Sequence, residues 1–262
     1  MSEPLITYQL DGSIALIGLN RPDKRNAIND PLIDELRAAV LRAHEEADVA
    51  VLFGHGSNFC AGLDLAEALA RATGQIKAPR KRKRHNWHEV FDLIARGPIP
   101  FVAALHGAVV GGGLELAMAA HVRVCDDTAL FGLPEGQRGI FVGGGGTVRI
   151  QRVVGTTVMM DMMLTGRLLT PAEGLQEHVV RYVTPTGEAL AKAKDLAARI
   201  AKNSIDTNWM IINVLPRIHD MSHDDGLFVE QLNSARARPP EAEARLREFV
   251  EGKAKKIQDN QA

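Results

Sequence analysis

Apolar residues come in three patterns along this chain. Leu5–Leu10 and Ser13–Leu19 are β-rich runs separated by Asp11-Gly12, a dipeptide that favours the positive φ of a tight hairpin turn. A polar turn follows, Asn20-Arg21-Pro22-Asp23-Lys24-Arg25-Asn26. After it, Leu32, Leu36 and Val40, flanked by Ile33 and Leu41, recur at helical spacing. This predicts a helix with Asp30 as N-cap and Pro31 at its first position. Val49–Gly54 and Phe101–Leu105 are continuous apolar runs and read as buried strands. His121–Cys125 and Ala129–Gly132 read as shorter strands, and Leu114–Ala120 as a helix that opens on glycines. A second helix opens at about Thr147, after Gly143–Gly146, so strand, glycine turn and helix recur about three times.

Beyond Pro171 helical patterns dominate: Glu188–Lys202, Ile205–Leu215, Asp225–Ala237 and Glu241–Lys256, the last two separated by Pro239-Pro240. The expected organisation is an α/β core over residues 1–190 and a helical region over 191–262. Length agrees, since 262 residues is near the size at which single cores stop growing, roughly 250–300. Hydrophobic residues at 45% and charged residues at 24% suit a globular protein. The formal net charge of −1 argues against DNA or RNA as partners of the whole molecule. Cys60 and Cys125 form no C-x-x-C pair, so neither a disulfide framework nor a zinc site is expected, which fits a reducing cytoplasm. The first residues lack the basic and apolar regions of a signal peptide. No uncharged apolar run reaches the roughly 18 residues of a membrane span.

Two glutamates stand out. Glu115 lies in Gly111-Gly112-Gly113-Leu114-Glu115-Leu116-Ala117, where everything around it is small or apolar. A carboxylate buried there costs several kcal/mol unless it is paired or its pKa shifts. It either serves chemistry, caps a neighbouring loop, or pairs with a buried arginine such as Arg123. Glu135 follows Phe131-Gly132-Leu133-Pro134, where a strand ends in a turn. Two carboxylates facing one site can divide acid and base roles. Opposite them, Gly62 permits a turn that leaves the N–H of Leu63 pointing outward, and Gly111–Gly113 does the same at a helix start. Two such amides aimed at one carbonyl oxygen form an oxyanion hole, each donor supplying about 3–4 kcal/mol at the transition state. A dinucleotide-binding reading of these glycines fails on spacing, and a P-loop is excluded because no Gly-Lys-Ser/Thr occurs.

The ordered set Asn20-Arg21-Pro22…Asn26-Ala27-Ile28, Phe59-Cys60-Ala61-Gly62-Leu63-Asp64-Leu65, His106-Gly107…Gly111-Gly112-Gly113-Leu114-Glu115-Leu116-Ala117, Phe131-Gly132-Leu133-Pro134-Glu135, Gly143…Gly145-Gly146-Thr147 and Thr165-Gly166-Arg167 resembles the crotonase superfamily, closest to enoyl-CoA hydratase, over nearly the whole chain. The resemblance implies an α/β spiral of ββα units with a C-terminal helical trimerisation region, assembled as a homotrimer or a dimer of trimers. It implies an acyl-CoA thioester substrate, coenzyme A arriving as part of it, with no metal or redox cofactor. The thioester carbonyl would sit between the N–H groups of Leu63 and Gly112. Arg25, Ala61, Asp64, Leu65, Trp87, Phe91 and Leu133 are the implied substrate and CoA contacts, and Phe249 and Lys253 belong to a segment that resembles one reaching a neighbouring subunit's CoA. Isomerases and hydroxycinnamoyl-CoA hydratase-lyases of the superfamily tend to keep only the second glutamate, whereas hydratases keep both. Glu115 and Glu135 therefore point to hydration of 2-enoyl-CoA, with Glu135 delivering the proton to Cα and the pair holding the water near Cβ.

The chain departs from the common pattern at three places. His106 stands where asparagine is usual and reads as a turn residue. Val142 replaces a proline, and Gly252 takes the place of a basic residue, with Lys253 one position on. Lys77, Arg80, Lys81, Arg82, Lys83 and Arg84 form a basic tract. It reads as a solvated loop, as an attractor of CoA phosphates, or as an RNA contact.

Overall fold

The computed structural model describes residues 3–76, 86–236 and 240–253, so the basic tract lies outside the described residues. The chain divides into two compact units, Met1–Lys202 and Asn203–Ala262.

The first unit is built on a six-stranded sheet. Strands β1 (Ile6–Asp11) and β2 (Ile14–Leu19) form the predicted hairpin. β3 (Val49–Gly54) and β4 (Phe101–Leu105) cover the residues that their apolar runs marked. A second layer carries β5 (Ala108–Val110), β6 (Val122–Asp126) returns to the large sheet, and β7 (Leu130–Gly132) pairs with β5. β8 (Leu168–Leu169) completes the small sheet, and β9 (Tyr182–Thr184) is the last strand of the large one. The orders are β1-β2-β3-β4-β6-β9 and β5-β7-β8, and every pair is parallel except β1·β2 and β7·β8. The chain thus alternates between the layers. Isolated bridges Ile28↔Leu63 and Cys60↔Val109 extend the small layer where no full strand forms.

Alternation along the parallel strands sends side chains to opposite faces. Leu16, Val51, Val102 and Val124 pack on one face with Ala193, Leu196 and Ala197. Ile17, Leu52, Ala103 and Cys125 join the main core on the other. Both faces are covered, which is why these strands read as unbroken apolar runs rather than alternating ones.

Helix α1 (Asp30–Glu46) buries Leu32, Ile33, Leu36, Ala39, Val40 and Ala43 against that core. Its N-cap is Asn29, one residue before the expected Asp30, because the Asn29 side chain accepts the Leu32 N–H at 3.1 Å. α2 (Leu65–Ala72) is capped by Asp64, and α3 (Asn86–Arg96) precedes β4. α4 (Gly112–Ala117) follows β5 directly. α5 (Gly146–Thr165) starts at the predicted place and is bent at Gly155, whose backbone is not helical. α6 (Pro171–Gln176) opens on a capping box between Thr170 and Glu173.

α7 (Ala189–Ile200) lies at the junction where the helical region was expected to begin. It packs on β3, β4, β6 and β9, so it belongs with the sheet and the division falls after Lys202 rather than residue 190. The second unit comprises α8 (Ile205–Asn213), α9 (Leu215–Ile218), α10 (His223–Arg236) and α11 (Pro240–Val250). No helix of the described residues is long and apolar enough to cross a membrane.

Leu36 is fully buried in the α1 stripe. Leu36→Ala should destabilise the first unit by about 2–5 kcal/mol, read from urea unfolding, through lost burial and a residual cavity. A loss below about 1 kcal/mol would mean that α1 does not pack as described.

Candidate active site

The site begins with two loops that nearly touch. After β3 the chain crosses to the small layer and reaches Gly62 at φ 87°. A Cβ there would lie 2.6 Å from the Val110 carbonyl oxygen and 3.1 Å from the Gly112 nitrogen. Only glycine allows both the backbone angle and this approach. The next residue, Leu63, pairs with Ile28: the Ile28 N–H donates to the Gly62 oxygen at 2.7 Å and the Asp64 N–H to the Ile28 oxygen at 2.9 Å. In this parallel pattern the amide of Leu63 faces away from Ile28.

The other loop supplies Gly111, which is the N-cap of α4 at φ 57° and donates its N–H to the Gly132 oxygen. Gly112 opens the helix, where N–H groups lack intrahelical acceptors. Among the described residues, neither the Leu63 nor the Gly112 N–H has a backbone acceptor. Two outward amides from separate loops are therefore brought side by side.

Glu135 stands against this point. It lies in the 3₁₀ turn Pro134–Arg138 and is 7% exposed. Its Oε1 would be 2.8 Å from a Cβ on Gly111, so a side chain at that position would occupy the place of the carboxylate. Its Oε2 is buried and has no hydrogen-bond partner among the described residues. Burial raises its pKa; a hydrogen bond that the carboxyl accepts from its own backbone N–H opposes this, the charge of Glu115 adds to it, and Arg138 opposes it.

Glu115, on α4, is 2% exposed. Of its three possible readings, pairing with Arg123 is not realised. Arg123 donates instead to the oxygens of Val179 (2.6 Å) and Ala120 (2.7 Å), and burial pulls its pKa down to about 10. Glu115 Oε1 accepts the N–H groups of Gly144 and Gly146, both at 2.8 Å, and Oε2 has only a 3.4 Å contact from Gly143. The glycine run is thus fixed by the glutamate, and it leaves Oε2 the less engaged oxygen.

A cavity of about 560 Å³ opens at Leu63 and Gly111, and neither Gly112 nor Glu115 is among the residues that line it. Its wall brings together Arg25, Ala61, Leu63, Asp64, Leu65, Gly111 and Glu135. A smaller cavity of about 190 Å³ shares Leu63 and Asp64 and is bordered by Trp87. The Trp87 ring also lies against Gly112, where a Cβ would come within 2.2 Å of Cζ3. Asp64 has a structural task as well: it caps α2 through the Ala66 and Glu67 amides and pairs with Arg21 at 3.1 Å.

Two expected contacts, Phe91 and Leu133, are fully buried and do not line either cavity described above. Phe91 is fully buried; it packs on Trp87 and Gly144, so it supports the glycine run rather than lining a cavity. Leu133 is fully buried in the core. Phe249 and Lys253, expected toward the CoA of a neighbouring subunit, belong to the second unit, where Phe249 is exposed and Lys253 pairs with Glu251 at 2.6 Å. His106 is a turn residue whose Nε2 meets the Gly56 oxygen at 3.0 Å. Lys24, Gln137 and Arg138 line the larger cavity although their pattern did not single them out. Their closeness in sequence to Arg25 and Glu135 was the available signal.

The family model for enoyl-CoA hydratase/isomerase matches residues 9–253. "Probable enoyl-CoA hydratase 2, mitochondrial" of Arabidopsis thaliana is 34% identical over 85% of this chain and 73% of its own length. "Probable enoyl-CoA hydratase echA8" of Mycobacterium bovis is 30% identical over 97% and 98%. A solved structure from Rhodopseudomonas palustris CGA009 is 40% identical and superposes with a TM-score of 0.86 over 97% of both chains. The enoyl-CoA hydratase structure from Bacillus anthracis is 26% identical, with a TM-score of 0.85 over 95% of this chain and 96% of that one. The chain belongs to the enoyl-CoA hydratase/isomerase family.

The raised pKa of Glu135 has a consequence for stability. The folded state holds a proton that the unfolded chain releases above the ordinary value of 4.5. Stability therefore falls as pH rises from there through the folded-state pKa. Glu135→Gln removes this penalty, so the variant should be more stable than wild type at pH 7, with the advantage fading as pH falls toward 4.5 in urea titrations. An advantage that grows on acidification would contradict the burial described here.

Proposed function

We propose that the protein hydrates 2-enoyl-CoA thioesters reversibly to 3-hydroxyacyl-CoA. The observation that carries this reading is the meeting, around Gly111, of the Gly112 amide, the Gly62–Leu63 loop and the buried Glu135 carboxyl. The thioester oxygen accepts from the Leu63 and Gly112 N–H groups. This polarises the conjugated system and stabilises the enolate-like state that forms when water adds at Cβ. Glu115, oriented by the glycine run, takes the proton of that water through its less engaged Oε2. Glu135, whose protonated form burial favours, passes a proton to Cα, and the proton taken up by Glu115 returns through water to Glu135 to close the cycle. The scheme calls on no metal or redox group. Both glutamates are present and buried, which favours hydration over chemistries that need the second alone.

Lys24, Arg25 and Arg138 give the larger cavity a cationic edge suited to the phosphates of coenzyme A. We further propose a homotrimer or a dimer of trimers. The second unit exposes Trp209, Leu215, Leu227, Phe228 and Leu232, more apolar surface than a free helical unit normally leaves in water. Two free, buried cysteines suit a reducing cytoplasm.

Hydration is tested with crotonyl-CoA, by loss of the conjugated absorbance and a product heavier by one water. Glu115→Gln and Glu135→Gln should each fold and lose about 10²–10⁴-fold in kcat. Full activity in either variant would remove the two-carboxylate scheme.

A further inference from the structure

The reading above assigns the chemistry to four groups, and the structure carries an unassigned device that sets two of them in place. Asn26 is fully buried and lies in the left-handed region at φ 54°. Its Nδ2 donates to the oxygens of both His55 (2.9 Å) and Asn58 (2.8 Å), and its Oδ1 accepts the Arg21 N–H at 2.8 Å. One side chain therefore ties the turn at 21–26 to both ends of the loop 55–58. The same turn grips the following residues: Cys60 Sγ donates to the Asn26 oxygen, and the Ala61 N–H to the Arg25 oxygen at 2.9 Å. From the opposite side, Asn58 Oδ1 accepts the Ala108 N–H at 2.9 Å, at the strand that leads into Gly111. The bonds Phe59 N–H to His106, Cys60 N–H to Ala108 and Val110 N–H to Cys60 continue this zipper toward Gly112.

We infer that Asn26 and Asn58 are positioning residues that hold the Leu63 and Gly112 amides at the separation one thioester oxygen requires. This rests on the hydratase reading. Neither Asn26 nor Asn58 is among the residues lining the two cavities. Asn26 fixes the loop bearing Leu63 to the turn before α1, and Asn58 fixes the same loop to the strand bearing Gly112. Oxyanion donors act only within a narrow distance range, so a small relaxation of either tie weakens the transition state more than ground-state binding.

The test compares Asn26→Ala, Asn58→Ala and Asn58→Asp, the last keeping an oxygen for the Ala108 N–H. Folding is checked by circular dichroism. Crotonyl-CoA hydration gives kcat and KM, and isotope-edited infrared spectra of bound butyryl-CoA report the thioester carbonyl stretch. Both alanine variants should lose roughly 10- to 100-fold in kcat, with KM within about threefold and a smaller carbonyl red shift. Asn58→Asp should return kcat and the carbonyl shift to near wild type. If Asn26→Ala does not fold, the Asn58 pair decides. A folded alanine variant with wild-type kcat and carbonyl shift would overturn the inference, as would an Asn58→Asp as impaired as Asn58→Ala. A wild-type protein that neither hydrates crotonyl-CoA nor shifts the bound carbonyl would instead defeat the hydratase reading itself.

Discussion

The structure depends on one close approach: the backbone of Gly62 against the segment from Val110 to Gly112. Neither loop belongs to a long strand, and each is held by single bridges and short ladders. A β-carbon at Gly62 would push into the Val110 carbonyl, so the approach exists because the residue is glycine. The parallel sheet beneath supplies the rigidity. Its strands end at the level where these loops leave it, so the outward amides ride on a fully packed core.

Around this contact the carboxyl groups are differentiated by their surroundings. Glu115 is satisfied by amides of the glycine run, which orient it. Glu135 has a buried oxygen without a hydrogen-bond partner among the described residues, and burial raises its pKa. In the proposed mechanism one carboxyl accepts a proton and the other donates one. Local polarity, rather than residue type, makes that division.

Much of this was legible in the residues. The apolar runs at Val49–Gly54 and Phe101–Leu105 became strands of the same extent, since both faces of a parallel sheet are covered. The α1 stripe was visible, while its cap was misplaced by one residue because Asn29 and Asp30 are both competent caps and only geometry chooses. Ala108–Val110 escaped detection because three residues between glycines carry no periodicity. Glu115 was conspicuous as a carboxylate among small apolar residues, and Glu135 gained weight only from its place at a strand end and its pairing with Glu115. The partners of Glu115 lie some thirty positions away, and no local pattern announces them. Trp87 and Phe91 sit one helical turn apart and suggested a shared task, yet one borders a cavity and the other supports the glycine run.

The central claim is geometric, and a crystal structure with a bound, non-reacting acyl-CoA thioester tests it most directly. The account predicts the thioester oxygen at roughly 2.7–3.1 Å from the nitrogens of both Leu63 and Gly112, with the Glu135 carboxyl facing the carbon next to the carbonyl. A thioester oxygen turned toward solvent, or bound by neither amide while the ligand fills the cavity, would contradict it.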